Sequence, residues 1–197
     1  MVEVLKALKK TRLVENFSGK DLATEALLEI LDAARWAISF QGMQSWEVVV
    51  VKDEDRKKEL SEIAVKGELK RASVLLVVCS NLERARFALG EKGERASLIE
   101  VSAFAQNIVT ASRHFGASCS VLADFDSKKV QEFIESPKGI VPVVILGLGF
   151  ASQYPEVKRV PITTFVHTEK FGRPWKGSLA SKFSSRSNKG TFMHIFG

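Results

Sequence analysis

Residues 34–53, ARWAISFQGMQSWEVVVVKD, decide how the rest of the chain is interpreted. They predict the end of an amphipathic helix, a polar turn, and then an apolar strand that begins near Trp46. Apolar residues at helical spacing extend this predicted helix back to residue 21, and a charged helix is predicted over 53–66. Helices on either side of a buried strand indicate a sheet that is covered by helices.

The rest of the pattern predicts an α+β fold. The apolar residues of 72–80 do not alternate with polar ones, as expected for a strand that is covered on both faces. The long helix predicted over 96–115 mixes small and large apolar residues, which suits a crowded position such as a dimer interface. The other predicted elements are a helix over 2–10, an exposed helix-and-loop excursion over 81–95, strands over 118–122 and 140–147, and a helix over 127–134.

Length and composition indicate a globular protein. The chain has 197 residues, of which 45% are hydrophobic, which is enough for one domain with or without an appendage. No apolar run approaches the roughly 20 residues that span a bilayer, and the amino terminus, which contains Glu3, is a poor signal peptide. We therefore expect a cytoplasmic protein without a membrane partner. Cys79 and Cys119 lie in apolar segments, which favours buried, reduced thiols over a disulfide or a metal pair.

Positive charge is concentrated near the carboxyl end. From Lys158 onward there are eight Lys or Arg residues and one acid, Glu169, while the whole chain has a formal net charge of +6. This shift divides the sequence into a domain over 1–157 and a basic extension over 158–197, which we expect to wrap around a partner subunit. A nucleic-acid arm is the weaker alternative, because neither an Arg/Gly repeat nor an aromatic-interleaved basic motif accompanies the charge.

The opening segment resembles a stretch of the nitroreductase family that is written A-x-x-A-P-S-x-x-N-x-Q-P-W. Ala37, Ser39, Gln44 and Trp46 match this pattern, whereas Ile38, Gly42 and Ser45 stand in place of Pro, Asn and Pro. Further segments resemble successive family motifs in the same order over most of the chain, with Glu100 in place of an Asp. These segments are 70–86, 99–130, 137–150 and 158–172.

This resemblance implies a three-layer α/β/α sandwich with a mixed central sheet, which forms a homodimer and holds FMN at the dimer interface. The FMN phosphate would contact basic residues near both ends of the chain, and the rest of the cofactor would contact the turn and the third strand. The corresponding residues are Arg12, Lys158 and Arg159 for the phosphate, Ser39 for the phosphate or ribityl chain, Gln44 for the pyrimidine edge, and Leu122 and Ala123 for the isoalloxazine ring.

Structural roles remain open for several of these residues. Arg12 also suits the carboxyl end of a helix, where its guanidinium would satisfy carbonyl groups, and Ser39 and Gln44 also suit local bonding within a turn. Glu100 is interpreted as a structural carboxylate rather than a proton donor. Phe87, in the excursion, is the candidate for covering the substrate face of the flavin.

The function implied by the resemblance is that of an FMN-dependent oxidoreductase. Electrons would pass from NADH or NADPH through the flavin to a small electrophilic acceptor such as a nitroaromatic or a quinone. No catalytic side chain and no metal site is predicted, because the flavin carries the chemistry and no metal-ligand cluster is visible. The alternative is a nitroreductase-like dimer with a degenerate flavin site that binds another ligand or serves as a scaffold, which Ile38, Gly42 and Ser45 favour.

Overall fold

Four strands and two helical layers make up the body of the protein. The computed structural model describes residues 4–65 and 67–175. The strands are Trp46–Val51 (β1), Val74–Asn81 (β2), Ser118–Leu122 (β3) and Ile140–Gly149 (β4). The helices are Val4–Lys10 (α1), Thr24–Ala34 (α2), Glu54–Ile63 (α3), Leu82–Leu89 (α4), Gly93–Ala111 (α5), Ser127–Phe133 (α6) and Ile162–Phe165 (α7). Short 3-10 turns cover Phe40–Gly42, Gly67–Arg71, Gly90–Lys92 and Ser112–Phe115.

The sheet has the strand order β1-β2-β4-β3, and each neighbouring pair is antiparallel. The resemblance implied a mixed sheet instead. In the described residues, parallel pairing is confined to an isolated bridge between Leu13 and Cys119, where the Val14 amide donates to the Cys119 carbonyl at 2.9 Å. The amino-terminal segment therefore lies along β3 without forming a strand, and β1 and β3 are the two edges of the sheet.

Both faces of β2 are buried, which explains its unbroken apolar sequence. Val74, Leu76 and Val78 pack on one side with α2 and α5, while Leu75, Val77 and Cys79 pack on the other side with α3 and α6. Because successive side chains of a strand point to opposite faces, this one strand supplies both halves of the core. The helix-sheet-helix sandwich predicted from the sequence is thereby confirmed.

Helix boundaries differ from the predicted ones where local turns replace helix. The second helix ends at Ala34 instead of residue 38, because residues 35–37 form a turn that leads to Ser39. The excursion over 81–95 is largely helical, since it contains α4 and the start of α5. These two helices meet so closely that a Cβ atom at Gly93 would collide with the Ala85 carbonyl, which explains the glycine there.

The chain separates into two compact units, 1–155 and 156–197. In the second unit, the described residues form α7 and a small loop in which His167 bridges to Pro174 and its ring lies 4.4 Å from that of Phe171. The partner-wrapping role of the extension stays a prediction, and residues 176–197 lie outside the described part. No described helix has both the length and the apolar character needed to cross a membrane.

The buried thiols predict how stability depends on alkaline pH. Cys79 and Cys119 are free and buried, as predicted. Burial, with a smaller contribution from the charge of Glu47, raises the pKa of Cys79 to about 12. Burial also raises the pKa of Cys119 to about 11, against the opposing effects of Ser112 and Arg113. Both pKa values exceed the value of about 8.5 for an unfolded cysteine, so the unfolded state loses its protons first as pH rises.

We therefore expect the free energy of unfolding to decrease above about pH 8.5, over a range that ends near pH 11 for Cys119 and near pH 12 for Cys79, which urea denaturation would measure. A Cys79→Ala/Cys119→Ala variant should lose this part of the pH dependence. In the native wild type, neither thiol should react with a thiol reagent near pH 8, whereas both should react in urea. Rapid labelling of the native protein would contradict the assignment.

Candidate functional site

The turn between α2 and β1 is held by a buried carboxylate. Glu100 of α5 is fully buried, and its Oε1 accepts hydrogen bonds from Ser39 Oγ at 2.8 Å and the Phe40 amide at 2.6 Å. Its Oε2 accepts from the amide of Ser45 at 2.8 Å and from Ser45 Oγ at 2.9 Å. Four donors on two oxygens are the pattern of an ionised, acceptor-only carboxylate. The structural role predicted for Glu100 is confirmed by these contacts.

Buried serine hydroxyls connect this carboxylate to the sheet. Ser45 Oγ hydrogen-bonds Ser97 Oγ of α5 at 2.7 Å, and Ser97 in turn hydrogen-bonds Ser80 at the end of β2. All three side chains are buried, so each hydroxyl depends on the others for its partners. The turn is therefore joined to both the long helix and the central strand.

The backbone of this turn adopts a left-handed conformation at three residues. The φ angles are +52° at Gln41, +70° at Gly42 and +46° at Gln44. Asn and Gly tolerate this conformation better than other residues, so Gly42 preserves the backbone that the family's Asn would adopt while it loses the amide side chain. For the two glutamines the conformation costs about 1–3 kcal/mol each, and such strain clusters at ligand sites.

A second contact fixes the turn from the side of α4. Arg84 donates from Nη1 to the Gln44 carbonyl at 2.6 Å and from Nη2 to Glu47 Oε1 at 2.7 Å. Asn81 caps α4 by accepting from the Arg84 amide at 2.9 Å. Phe87 lies one turn further along the same helix and is 95% exposed. The predicted substrate-covering residue and the predicted pyrimidine-edge residue thus belong to one connected region.

A cavity of about 450 Å³ lies beside β3, on the opposite edge of the sheet. Its volume is in the range that small-molecule sites occupy. Ser120 is one of the residues that line it, and its buried hydroxyl has no hydrogen-bond partner among the described residues. An unpaired buried hydroxyl is uncommon in proteins. The lining residues are Leu13, Val14, Glu15, Asn16, Leu69, Ser120, Val121, Leu122, Gln153 and Pro155.

The predicted contacts near this cavity occupy different positions. Leu122 lines it, whereas Ala123 is exposed just beyond the end of β3 and does not. Arg12 precedes the lining segment, but its Nη1 donates to the carbonyls of Lys9 and Thr11 at 2.8 Å each. In this conformation the guanidinium has the helix-capping role that the sequence left open.

The electrostatics of the cavity do not favour an anion on their own. Glu15 contributes a carboxylate to the lining, and among the described residues that line it there is no Lys or Arg. Cations for a phosphate would come from outside the lining. Lys158 and Arg159 are exposed and belong to the second unit, and their phosphate contact stays a prediction, as does that of Arg12.

The predicted flavin contacts fall on opposite edges of the sheet. Gln44 precedes β1, whereas Leu122 ends β3, and three inter-strand spacings of about 14 Å in total separate these strands. Residues 39–45 contribute nothing to the cavity lining. The structure brings Ser39 and Gln44 together before β1, places Phe87 on α4, whose Arg84 contacts the Gln44 carbonyl, and places Leu122 at the end of β3. We call the turn around Gln44 and the cavity beside β3 the two candidate half-sites.

Sequence reasoning missed three residues that build these half-sites. The family pattern marks Ser45 only as a departure from Pro, although a Ser, unlike Pro, has an amide hydrogen to donate. Arg84 had no distinguishing pattern in a charged helix. Ser120 is a polar residue in a short apolar strand, which was the one available signal, but its lack of a partner is visible only in three dimensions.

Two serines allow a matched test of the cavity. Ser120→Ala removes a hydroxyl that has no partner in the described part of the chain, so the free energy of unfolding of the ligand-free protein should stay within about 1 kcal/mol of wild type or increase. Ser97→Ala removes a fully bonded hydroxyl and should cost about 1–3 kcal/mol. Urea denaturation measures both. Equal destabilisation by the two variants would show that Ser120 has a protein partner after all.

Comparisons with known proteins identify the family and the fold. A protein of Archaeoglobus fulgidus, provisionally named an NADH dehydrogenase/NAD(P)H nitroreductase, is 28% identical over 155 residues, which cover 76% of this chain and 86% of that protein. Among solved structures, nitroreductase A from Vibrio parahaemolyticus matches with a TM-score of 0.79 at 22% identity. The match covers 87% of this chain and 77% of the Vibrio chain.

NADPH:FMN oxidoreductase from Vibrio harveyi, solved with NAD+, has a TM-score of 0.78 at 21% identity over 92% of this chain and 82% of its own. At these identities the structural likeness establishes the fold. The sequence model of the nitroreductase family matches residues 8–68 and 66–150. Because these matches cover well over half of its length, the chain belongs to the nitroreductase family, as a divergent member.

Proposed function

We propose that the protein is an FMN-dependent oxidoreductase that takes electrons from NADH or NADPH and passes them to a small electrophilic acceptor. The observation that carries the proposal is the pair of half-sites, a strained turn around Gln44 on one edge of the sheet and a cavity with an unpaired hydroxyl on the other. Two relatives from Bacillus subtilis support it, since both are named FMN reductase, one with NAD(P)H and one with NADPH.

The residues present fit a flavin better at its ring and ribityl chain than at its phosphate. The cavity supplies apolar contacts from Leu13 and Leu122 and a free hydroxyl at Ser120, which suit a ring system and a polyol chain. Arg12 is adjacent to the cavity lining and would have to exchange its carbonyl partners for the phosphate. Lys158 and Arg159 are the other phosphate contacts in this proposal.

On the turn, Gln44 would hold the flavin's pyrimidine edge. An amide side chain both donates and accepts, as the N3–H and O2 groups require, and Ser39 would contact the phosphate or ribityl chain. Leu122 and Ala123 would lie against the ring, and Phe87 would cover the substrate side. When bound, FMN would supply the redox chemistry, that is, hydride transfer from a nicotinamide and electron transfer to an acceptor. This division of labour requires no acidic or basic side chain in a catalytic role.

We also propose that the working unit is a homodimer. The two half-sites of one chain lie on opposite edges, so a complete site needs the turn of one copy beside the cavity of another. Apolar side chains just before the turn are exposed, with Trp36 77% and Ile38 62% exposed, and Leu98 and Ile99 of α5 are exposed as well. A second copy would cover these groups, since a symmetric interface uses the same patch of both subunits.

The visible spectrum of the purified protein tests the proposed function directly. After incubation with FMN and desalting, the protein should retain flavin absorption in the blue and near-ultraviolet, and NADH or NADPH should bleach it under anaerobic conditions. Leu122→Arg, which places a bulky charge in the cavity, should remove the absorption. A wild-type protein that stays colourless after incubation with micromolar FMN would contradict the proposal and leave a ligand-binding or scaffold role.

A mixed dimer tests whether two chains build each site. Gln44→Arg should damage the turn half and Leu122→Arg the cavity half, so either variant alone should retain little flavin. When the two variants are co-expressed with different tags and purified as a heterodimer, one intact site should re-form and about half of the wild-type flavin should return, because one of two symmetric sites is complete. No recovery in the heterodimer would place the whole site within one chain.

A further inference from the structure

We propose that Glu100 is a positioning residue for the flavin, and that it acts by holding Gln44 in its left-handed conformation through Ser45 and Ser39. This inference rests on the proposed function, because it concerns how the turn meets the same cofactor. It goes beyond that function because it says what orients Gln44 toward the pyrimidine edge. In this proposal Glu100 orients Gln44 without contacting the flavin itself.

The first argument is the way in which the charge of Glu100 is stabilised. A buried carboxylate needs compensating donors, and among the described residues no Lys or Arg forms an ion pair with it. All four of its donors instead belong to the turn, from Ser39, Phe40 and Ser45. The carboxylate is therefore satisfied only when the turn has this shape, and the turn cannot open without leaving a buried charge unpaired.

The second argument is the position of Gln44 between two of these donors. Its amide donates to Ser39 Oγ at 2.9 Å, the same oxygen that donates to Glu100, while the next amide, that of Ser45, donates to the other carboxylate oxygen. Arg84 fixes the Gln44 carbonyl from the opposite side. Both peptide groups that flank the Gln44 Cα atom are thus fixed, and its φ of +46° follows from them.

The third argument concerns the residue type at position 45. A residue that precedes proline is confined to extended conformations, so a Pro at this position would exclude the left-handed Gln44 that the structure shows. Ser45 permits that conformation and adds two donors for Glu100. The departure from the family pattern at position 45 is therefore a different way to hold the turn, rather than a sign of a lost site.

The experiment compares the affinities of the protein for FMN and for 3-methyl-FMN. The methylated flavin lacks the N3–H group whose hydrogen bond the Gln44 side chain would accept. Fluorescence quenching gives both dissociation constants without any measurement of turnover. In the wild type, FMN should bind about tenfold more tightly than 3-methyl-FMN, since one buried polar contact is lost. Gln44→Ala should reduce this ratio to about one.

Glu100→Gln is the decisive variant, because it keeps the shape of the side chain but turns an NH2 group toward the donors of the turn. It should weaken FMN binding about ten- to hundredfold. It should also reduce the preference for FMN, that is, the ratio of the affinity for FMN to the affinity for 3-methyl-FMN, to about one. The double variant Gln44→Ala/Glu100→Gln should show no further loss of the ratio. Glu94→Gln, an exposed residue of the same helix, is the matched control and should change neither quantity.

The outcomes separate this inference from the proposed function. If Glu100→Gln weakens both flavins equally and the ratio persists, Glu100 supports the fold without positioning Gln44, and the inference is overturned while the flavin site stands. A wild type with no preference between the two flavins overturns it in the same way. A wild type that binds neither flavin overturns both proposals. Should Glu100→Gln fail to fold, Ser45→Ala and Ser39→Ala, which each remove one hydroxyl donor, replace it in the same comparison.

Discussion

The structure depends on the requirement that both faces of the central strand pair be covered. β2 carries apolar side chains on both faces and has a strand neighbour on each side, so helices must pack above and below it. α2 and α5 cover one face, and α3 and α6 cover the other. With the interior strands enclosed in this way, the edges β1 and β3 and the turns beside them are the places where the fold can present polar groups to a ligand.

The division of the candidate site between the two edges follows from this arrangement. Gln44 lies just before the start of β1, and Leu122 lies at the end of β3. The packed interior strands separate the two residues, so they cannot contact each other within one chain. The homodimer that we propose would join the turn of one copy to the cavity of the other without any rearrangement of the chain. In that proposal each edge contacts only part of the ligand.

Glu100 shows how departures from a family pattern gain meaning in three dimensions. Considered by itself, Ser45 in place of Pro favours a degenerate site, and Glu100 in place of Asp is only a structural carboxylate. In the structure the two residues hydrogen-bond each other twice, within a turn that contains three left-handed residues. Gly42 remains a difference from the family pattern, since its backbone fits the turn but it has no side-chain amide.

The sequence by itself determined the order of helices and strands, the buried character of β2 and the family, because hydrophobic periodicity and short motifs are local properties of the chain. It also identified Gln44 and Leu122 as candidate contacts. Only the tertiary structure decided that these residues lie on opposite edges, that Arg12 bonds helix carbonyls, that Ser120 has no partner and that Glu100 holds the turn. The Arg12 contacts are local, and there the structure chose between two roles that the sequence left open. The other facts depend on distances between residues far apart in sequence, which no local pattern encodes.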